Sequence, residues 1–535
     1  MKMKRLPLGM QSFRGLIEGG YVYVDKTQYV YELLNDAKYY FLSRPRRFGK
    51  SLLLDTIGEV FSGDKELFKG LWIYDSGYGF EKYPVIRLDM SNISNKTPEI
   101  LEDSIVSTLR SRIKDEGLDI DDDIPSDIFK HLISGLFKKY NQKVVVLIDE
   151  YDKPILDHIN DADTAEANRM VIKGFYGILK SMDQYLRFSF ITGVSKFTKT
   201  SIFSELNNLL DITMTEKYVN ICGIPIESLE EYFGEHIESL AASENFKPLG
   251  SLRDVILKWY DGYSWDGKTR LLNPFSLLSF FSQKRLESYW YASGTPKFLI
   301  DLIKKKPESF ASLKNLEIRE RVLDTFDIRQ MEIEPLLFQT GYLTVKAVVR
   351  EFGAPIYVLD MPNLEVSEAF SLQLIAELTE KGEVFTETSY LKLRIALRDG
   401  DLQAVLEILR GLFASIPYEL HVDAEAYYHS ILYAVLRVLG FDIDAEVSVS
   451  GGRVDAVLEL GDKVYILEFK YKSCPPGASA EDKQKLFAEA LDKGMAQIKN
   501  RGYYKKYTGS GKTIYQAAFA FLGRDNIEMV VETMS

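Results

Sequence analysis

The chain has 535 residues, which is too long for one hydrophobic core and predicts two to four domains. Hydrophobic residues make up 46% of it and charged residues 27%, a balance typical of a folded globular protein and not of a disordered chain. The net charge of −12 argues against a protein that coats nucleic acid without specificity, although residues 451–535 carry 13 basic and 11 acidic side chains.

Predicted strands and helices alternate over residues 1–225, which indicates an α/β fold with a parallel, doubly wound sheet. The predicted strands are Tyr21–Thr27, which ends in a turn or helix cap, and Tyr39–Leu42, Pro84–Ser91, Lys143–Glu150 and Leu186–Gly193. The predicted helices are Gln28–Leu34, Leu52–Ile57, Ile100–Lys114, Ile128–Tyr140 and Asn168–Asp183.

A Gly-Lys-Ser tripeptide lies between the strand Tyr39–Leu42 and the helix that opens at Leu52. In this order, backbone N–H groups of the loop and of the helix N-terminus surround phosphates. Lys50 then reaches the β- and γ-phosphate oxygens, and the Ser51 hydroxyl binds Mg²⁺. The sequence therefore predicts a phosphate-binding loop, or P-loop, for ATP.

The match to a P-loop is imperfect. Arg44 stands where the motif has its first glycine, and Pro45 removes one N–H from the loop. Seven residues of the loop and the helix start are nonetheless predicted to bind the nucleotide: Arg46, Arg47, Phe48, Gly49, Lys50, Ser51 and Leu52.

The apolar run Lys143–Glu150 is typical of a strand buried on both faces of a parallel sheet, and it ends in two acids. Such strand ends are where α/β proteins bind ligands. Asp149 is predicted to hold Mg²⁺ and the nucleotide, and Glu150 to polarise the attacking water. The alternative, a core strand that runs into an acidic loop, is less favoured because both motifs occur in the expected order.

The strand Leu186–Gly193 also ends in polar residues. Thr192 and Ser195 are candidates for a side chain that faces the γ-phosphate. A role limited to capping a turn is equally compatible with the sequence.

Residues 228–309 are predicted to form a helical lid over the nucleotide, with helix starts at Leu272–Ser276 and Tyr289–Pro296. In residues 310–400, two predicted strands, Leu336–Val345 and Ala354–Asn363, suggest a winged-helix-like hairpin followed by a helical connection. Such a hairpin binds DNA in some proteins and only transmits contacts in others; the packing role is preferred here.

The last predicted domain, residues 401–535, begins with helices Leu402–Phe413 and Asp423–Leu439 and continues into a hairpin. Alternation along its second strand puts Glu468 and Lys470 on one face, and Asp455 arrives from the first strand. Two neighbouring carboxylates repel each other unless a cation such as Mg²⁺ lies between them, and Lys470 could then orient a water for attack on a phosphodiester. A surface ion pair on a hairpin is an equally good explanation of the spacing alone.

The sequence gives no sign of a membrane or secreted protein. No apolar run has the length of a membrane span, and the basic start Met1–Pro7 has no apolar segment behind it. Cys222 and Cys474 have neither metal-site nor disulfide spacing. We expect a cytoplasmic protein.

These stretches together resemble the bacterial and archaeal AAA-ATPase-like proteins that carry a C-terminal PD-(D/E)xK nuclease-superfamily domain. The resemblance extends over nearly the whole chain. It is carried by Tyr23–Thr27, Arg44–Ser51, Leu147–Asp152, Trp259–Tyr263, Asn273–Ser276, Gly294–Pro296, Pro417–Tyr418, Glu425–His429, Gly452–Asp455, Glu468–Lys470 and Gln497–Tyr503.

The resemblance implies a restriction-endonuclease-like C-terminal domain in which Asp455, Glu468 and Lys470 are catalytic and Asp455 and Glu468 bind metal. It also implies that Glu425 is a further metal-side acid and that Gln497 faces the site. Arg44 at the glycine position is itself typical of the family.

The leading hypothesis is a protein with ATP and Mg²⁺ as cofactors that controls a Mg²⁺-dependent nuclease acting on nucleic acid, with DNA preferred as partner. Protein partners or self-association are compatible with it, and a membrane is not. The main alternative is a nucleotide-gated interaction module with little or no turnover. A third hypothesis is an ATPase motor on DNA.

Overall fold

The computed structural model describes residues 3–196, 208–243, 251–292, 316–323, 332–351, 353–379, 381–415, 432, 434–439, 442–446, 453–472, 477–522 and 526–534. The chain divides into two compact units. Unit 1 comprises Met1–Gly294 and Asn315–Glu365, and unit 2 comprises Thr295–Lys314 and Val366–Ser535.

Unit 1 contains a five-stranded sheet in which every strand pair is parallel, in the order β2-β3-β4-β1-β5. Its strands are β1 (Tyr39–Ser43), β2 (Val85–Asp89), β3 (Val144–Asp149), β4 (Leu186–Gly193) and β5 (Leu210–Asp211). All residues of β1 and β3 are buried, as expected for central strands of a parallel sheet. The predicted α/β class and parallel sheet are confirmed.

The helices of this part of the chain are Phe13–Glu18, Thr27–Asp36, Lys50–Val60, Pro98–Asp115, Pro125–Tyr140, Lys153–Leu156 and Ala162–Ser181. Short 3₁₀ turns lie at Lys65–Phe68, Trp72–Asp75, Met90–Asn92, Asp183–Tyr185 and Glu216–Ile221. The strand predicted to begin at Tyr21 was wrong, because only an isolated bridge joins Tyr21 to Arg5. The helix start predicted at the end of this stretch is confirmed, since the helix begins at Thr27. The aromatic alternation that suggested a strand instead places Val22 and Tyr23 in the core.

The helices Ser228–Ala241, Leu252–Tyr260, Pro274–Gln283 and Tyr289–Ala292 form a small bundle, which we call the lid. Two short strands, β6 (Ile224–Pro225) and β7 (Leu271–Leu272), pair at its base. The predicted helix start at Leu272–Ser276 is confirmed, with the Asn273 side chain accepting from the N–H groups of Phe275 and Ser276. Apolar side chains of these helices pack into one cluster together with Val22.

A three-stranded antiparallel sheet follows, in the order β8-β10-β9, built from β8 (Leu316–Arg319), β9 (Thr344–Glu351) and β10 (Ala354–Asp360). Helices Glu320–Leu323 and Ile333–Thr340 accompany it. The prediction of a strand over Leu336–Val345 was wrong for its first half, which is helical. Every residue of Leu336–Thr340 is buried within this helix, so its apolar run does not mark a strand, and the helix ends at Gly341 in the left-handed region with φ of 93°.

Unit 2 contains a five-stranded mixed sheet in the order β11-β12-β13-β14-β15. The strands are β11 (Asp442–Glu446), β12 (Arg453–Leu460), β13 (Lys463–Lys472), β14 (Thr513–Leu522) and β15 (Asn526–Met534). The helix Ala480–Arg501 packs on β13 and β14, and a 3₁₀ turn follows it at Tyr503–Lys506. The hairpin predicted around residues 460–463 is confirmed.

Three further helices are Leu364–Thr379, Gly382–Asp399 and Leu402–Ala414. The first of them begins in unit 1 and continues into unit 2. The helix predicted at Asp423–Leu439 falls largely outside the described residues. None of the described helices is long and apolar enough to cross a membrane.

Candidate functional site

The loop after β1 folds around the ammonium of Lys50, the first residue of the helix Lys50–Val60. Gly49 precedes that helix in the left-handed region, with φ of 95°. The Lys50 side chain is buried, and its Nζ donates to the carbonyl oxygens of Arg44 and Pro45, both at 3.0 Å. The loop therefore adopts a closed shape around a central lysine.

Arg44 and Pro45, the two departures from the P-loop pattern, are both buried and pack against other elements of unit 1. The Arg44 guanidinium is buried, lies 4.0 Å from the centre of the Trp265 ring, and donates from Nη1 to the carbonyl of Thr213 at 2.9 Å. Burial lowers the pKa of Arg44 to about 10, so the side chain stays charged at neutral pH. A methyl group on Gly341 would lie only 2.7 Å from Pro45, which shows how closely the two backbones approach.

Arg46 and Arg47 are the exposed charged residues of the loop. The Arg46 carbonyl accepts from the indole Nε1 of Trp290 at 3.0 Å, and the Arg47 guanidinium lies 5.0 Å from the Phe275 ring centre. Both side chains are therefore presented to solvent from a loop whose backbone is held by the lid.

The acids at the end of β3 lie next to the polar end of β4. The hydroxyl of Thr192 donates to Asp149 Oδ1 at 2.8 Å, and Glu150 has a left-handed backbone with φ of 47°. Burial raises the pKa of Glu150, while Lys50 and Arg46 oppose the shift. The structure thus brings Lys50, Asp149, Glu150 and Thr192 to one edge of the sheet.

Ser195 does not stand beside Thr192 as an equivalent group. Its hydroxyl and its backbone N–H both donate to Asp152 Oδ2 at 2.6 Å, and the N–H of Val194 donates to the same oxygen at 3.0 Å. Asp152 was missed by sequence reasoning, although it closes the motif Leu147–Asp152. Through these hydrogen bonds, the Asp152 carboxylate links the residues that follow β4 to the turn after β3.

A mostly apolar cavity of about 100 Å³ lies beside the P-loop. The loop and the first helical turns contribute Phe48, Gly49, Leu52, Leu53 and Thr56. The remaining walls are Pro7, Leu16, Val22–Val24, Lys26, Ile221–Ile224, Phe233, Pro274 and Leu278. The Phe48 ring, which was predicted to bind the nucleotide, is buried and contacts Tyr263 and Trp265 edge to face.

In unit 2, the register of β12 and β13 sets Asp455 directly opposite Glu468. Opposed positions of an antiparallel pair share one face of the sheet. The Asp455 side chain and the whole of Glu425 lie outside the described residues. Over the part of the chain that is described, no three His, Cys, Asp or Glu side chains converge as a metal site.

Glu468 is buried, at 1% exposure, and accepts a hydrogen bond from the Lys470 ammonium. Lys470 Nζ also donates to Gln497 Oε1 at 2.8 Å. Gly494, one turn before Gln497, lets the helix approach the sheet, since a methyl there would lie 2.8 Å from Ala518. The arrangement is a lysine held between an acid of the strand and an amide of the helix, and not a solvated surface pair.

Two protein-family models match different parts of the chain. The family model "Predicted AAA-ATPase" matches residues 7–203, and that of the PD-(D/E)XK nuclease superfamily matches residues 423–530. A protein of Azotobacter chroococcum mcd 1, described as "Uncharacterized protein in vnfD 5'region", is 34% identical over 543 residues, with all of both chains covered.

Proposed function

Because the chain belongs to the family of AAA-ATPase-like proteins with a C-terminal PD-(D/E)XK nuclease-superfamily domain, we propose that it is an ATP-controlled, Mg²⁺-dependent nuclease. The observation that carries the proposal is that each unit holds a lysine by hydrogen bonds within the residues of its own motif. Lys50 is held by P-loop carbonyls, and Lys470 by Glu468 and Gln497.

In unit 1, Lys50 would exchange its two carbonyl acceptors for the β- and γ-phosphate oxygens of ATP, and loop N–H groups would bind the same phosphates. Ser51 and Asp149 would hold Mg²⁺. Their hydroxyl and carboxylate oxygens are the ligands this ion prefers, and the Thr192 hydroxyl orients Asp149. Arg46 and Arg47 are exposed on the same loop and would meet the phosphates from the solvent side.

The base of the nucleotide would occupy the apolar cavity beside Gly49 and Leu52. A planar, weakly hydrated ring fits apolar walls, whereas a phosphate does not. Phe48 and Gly49 line the cavity and also belong to the loop that would bind the phosphates. One nucleotide can therefore place its base in the cavity and its phosphates at the loop.

Glu150 would act on the attacking water as a general base. Its raised pKa brings a carboxylate closer to the pKa of an effective base at neutral pH. We expect slow turnover, since Pro45 removes one N–H donor from the phosphate cradle and Arg44 is fixed against Trp265.

In unit 2, Asp455 and Glu468 would hold Mg²⁺, with Glu425 as a further acid. Paired carboxylate oxygens fit this ion, and the register puts positions 455 and 468 opposite each other. The ion would supply Lewis-acid stabilisation of charge on a phosphodiester. Lys470, kept in place by Gln497, would orient the attacking water. DNA is the proposed substrate.

Control of unit 2 by ATP would begin at the contacts that hold the P-loop backbone. Trp290 donates from its indole to Arg46 and from its backbone N–H to Glu365 Oε1, at 2.7 Å. Glu365 is buried in the first turn of the helix Leu364–Thr379, which continues into unit 2. A change in the conformation of the P-loop on ATP binding would therefore shift the contact at the start of that helix. For ATP to control unit 2, it must bind the two conformations of the loop with different affinities.

A paired assay tests both halves of the proposal. Lys50→Ala should lose ATP binding and keep basal Mg²⁺-dependent cleavage of plasmid DNA, whereas Asp455→Ala should keep ATP binding and lose cleavage. Cleavage that survives in Asp455→Ala would remove the nuclease assignment, and unchanged ATP affinity in Lys50→Ala would remove the nucleotide site.

The packing of Arg44 and Pro45 favours a second candidate, a nucleotide-gated interaction module without turnover. A loop fixed against Trp265 and Gly341 can bind ATP yet resist the motions of a catalytic cycle. Equilibrium ATP binding together with no phosphate release and no nicking would support this candidate.

A further inference from the structure

Lys26 lines the apolar cavity beside the P-loop, next to Phe48, Gly49 and Cys222. It lies immediately before the helix Thr27–Asp36, which fixes its backbone. Over the described residues, no hydrogen bond or ion pair reaches its Nζ. None of the roles assigned above uses this side chain.

The residues on either side of Lys26 are fully engaged. Asp25 Oδ1 accepts from the backbone N–H and the hydroxyl of Thr27, at 2.8 and 2.7 Å, and its Oδ2 accepts from the N–H of Trp72 at 2.7 Å. The Thr27 hydroxyl in turn accepts from the N–H of Ile73 at 3.1 Å. Both carboxylate oxygens of Asp25 therefore accept hydrogen bonds that stabilise the fold. The Lys26 side chain, in contrast, lines the cavity.

Lys26 is half-buried, and an ammonium beside apolar walls loses part of its hydration unless an acceptor replaces it. Burial lowers the pKa of Lys26 to about 8, with Cys222 and Asp25 opposing the shift, so the group is still mostly protonated at neutral pH. A single polar group among apolar walls is the arrangement that fixes the orientation of a ligand.

We propose that Lys26 is the specificity-determining residue of the nucleotide site and donates a hydrogen bond to a ring nitrogen of a purine base. This inference rests on the proposed binding of ATP at the P-loop. An ammonium only donates, so it pairs with the ring nitrogens of the base and rejects its exocyclic amino group. The apolar walls around Lys26 suit the ring and exclude the charged phosphates, which the loop N–H groups bind instead.

The first test needs no substitution. Affinities of the full chain are measured for ATP, for 1-deaza-, 3-deaza- and 7-deaza-ATP, and for inorganic tripolyphosphate. One of the three analogues, the one that lacks the acceptor of Lys26, should bind about 10- to 100-fold more weakly than ATP.

Lys26→Met then identifies the donor. The variant should bind ATP and that analogue equally, both about 10- to 100-fold more weakly than the wild type binds ATP, and should bind tripolyphosphate as the wild type does. Lys69→Met, an exposed lysine of unit 1, is the matched control and should change none of these affinities. An apolar side chain in an apolar cavity should leave the unfolding temperature unchanged or higher.

Equal affinity of the wild type for ATP and all three analogues would overturn the inference while leaving ATP binding intact. Loss of tripolyphosphate affinity in Lys26→Met as large as the loss for ATP would also overturn it, since Lys26 would then bind phosphate. A wild type that binds neither ATP nor tripolyphosphate would overturn the proposed nucleotide site itself.

Discussion

The P-loop site of unit 1 and the Glu468–Lys470 site of unit 2 differ in how their residues are assembled. In unit 1, the central lysine is held by carbonyls five and six residues before it, so one short loop sets its position. In unit 2, the central lysine is held by a strand neighbour and by a helix residue 27 positions away. A site set by one loop can therefore accommodate a residue that departs from its motif, such as Arg44. A site assembled from a strand and a helix depends on each of the residues that hold its lysine.

The largest expected effect is on the assembled site. Lys470→Ala should lower Mg²⁺-dependent cleavage by about 1000-fold or more, since it removes the only described cation beside buried Glu468. The measurement is plasmid nicking under single-turnover conditions. Lys463→Ala, on the same strand but paired with Asp462 at the hairpin turn, is the control and should nick normally.

Gln497 should show the next largest effect, as a positioning residue. Gln497→Ala should slow cleavage about 10-fold, because Lys470 loses the acceptor that fixes the position of its ammonium. Gln484→Ala, an exposed glutamine of the same helix, should not slow cleavage. A slower rate accompanied by a lower unfolding temperature would indicate a purely structural role.

The contact between Trp290 and the P-loop should have a smaller effect, on control. Trp290→Phe keeps the ring but removes the indole donor to Arg46, so ATP affinity should change less than about 3-fold while the response of cleavage to ATP falls about 5-fold. Trp259→Phe elsewhere in the lid serves as the comparison. An undiminished ATP response in Trp290→Phe would rule out this route.

The smallest effect concerns stability at Glu365. Burial raises its pKa to about 8, whereas a carboxyl in the unfolded chain has a pKa of about 4.3. Between these values the unfolded chain releases a proton that the folded protein keeps, so stability falls as the pH rises through this window and levels off above it. Glu365→Gln resembles the protonated form of Glu365. When the pH is raised from 5 to 8.5, the unfolding temperature of this variant should therefore fall less than that of the wild type, by roughly 5 °C. Glu332→Gln, at an exposed position, should follow the wild type.

The α/β class, the parallel sheet and the C-terminal hairpin followed from local patterns, because buried strands are continuous apolar runs and the hairpin alternates with period two. The failures lie at Tyr21–Thr27 and Leu336–Thr340, where packing against other elements decided the conformation. Trp290 and Glu365 could not be predicted, since their contact spans 75 residues and no spacing rule encodes it.

We propose that ATP bound in unit 1 controls cleavage in unit 2. This proposal is tested most directly by the initial rate of plasmid nicking at fixed Mg²⁺ as ATP is varied, in the wild type and in Lys50→Ala. We predict that the wild-type rate changes with half-maximal effect at the dissociation constant for ATP, while Lys50→Ala nicks at the basal rate at every ATP concentration. A wild-type rate that ATP does not alter, or the same response in Lys50→Ala, would contradict the claim.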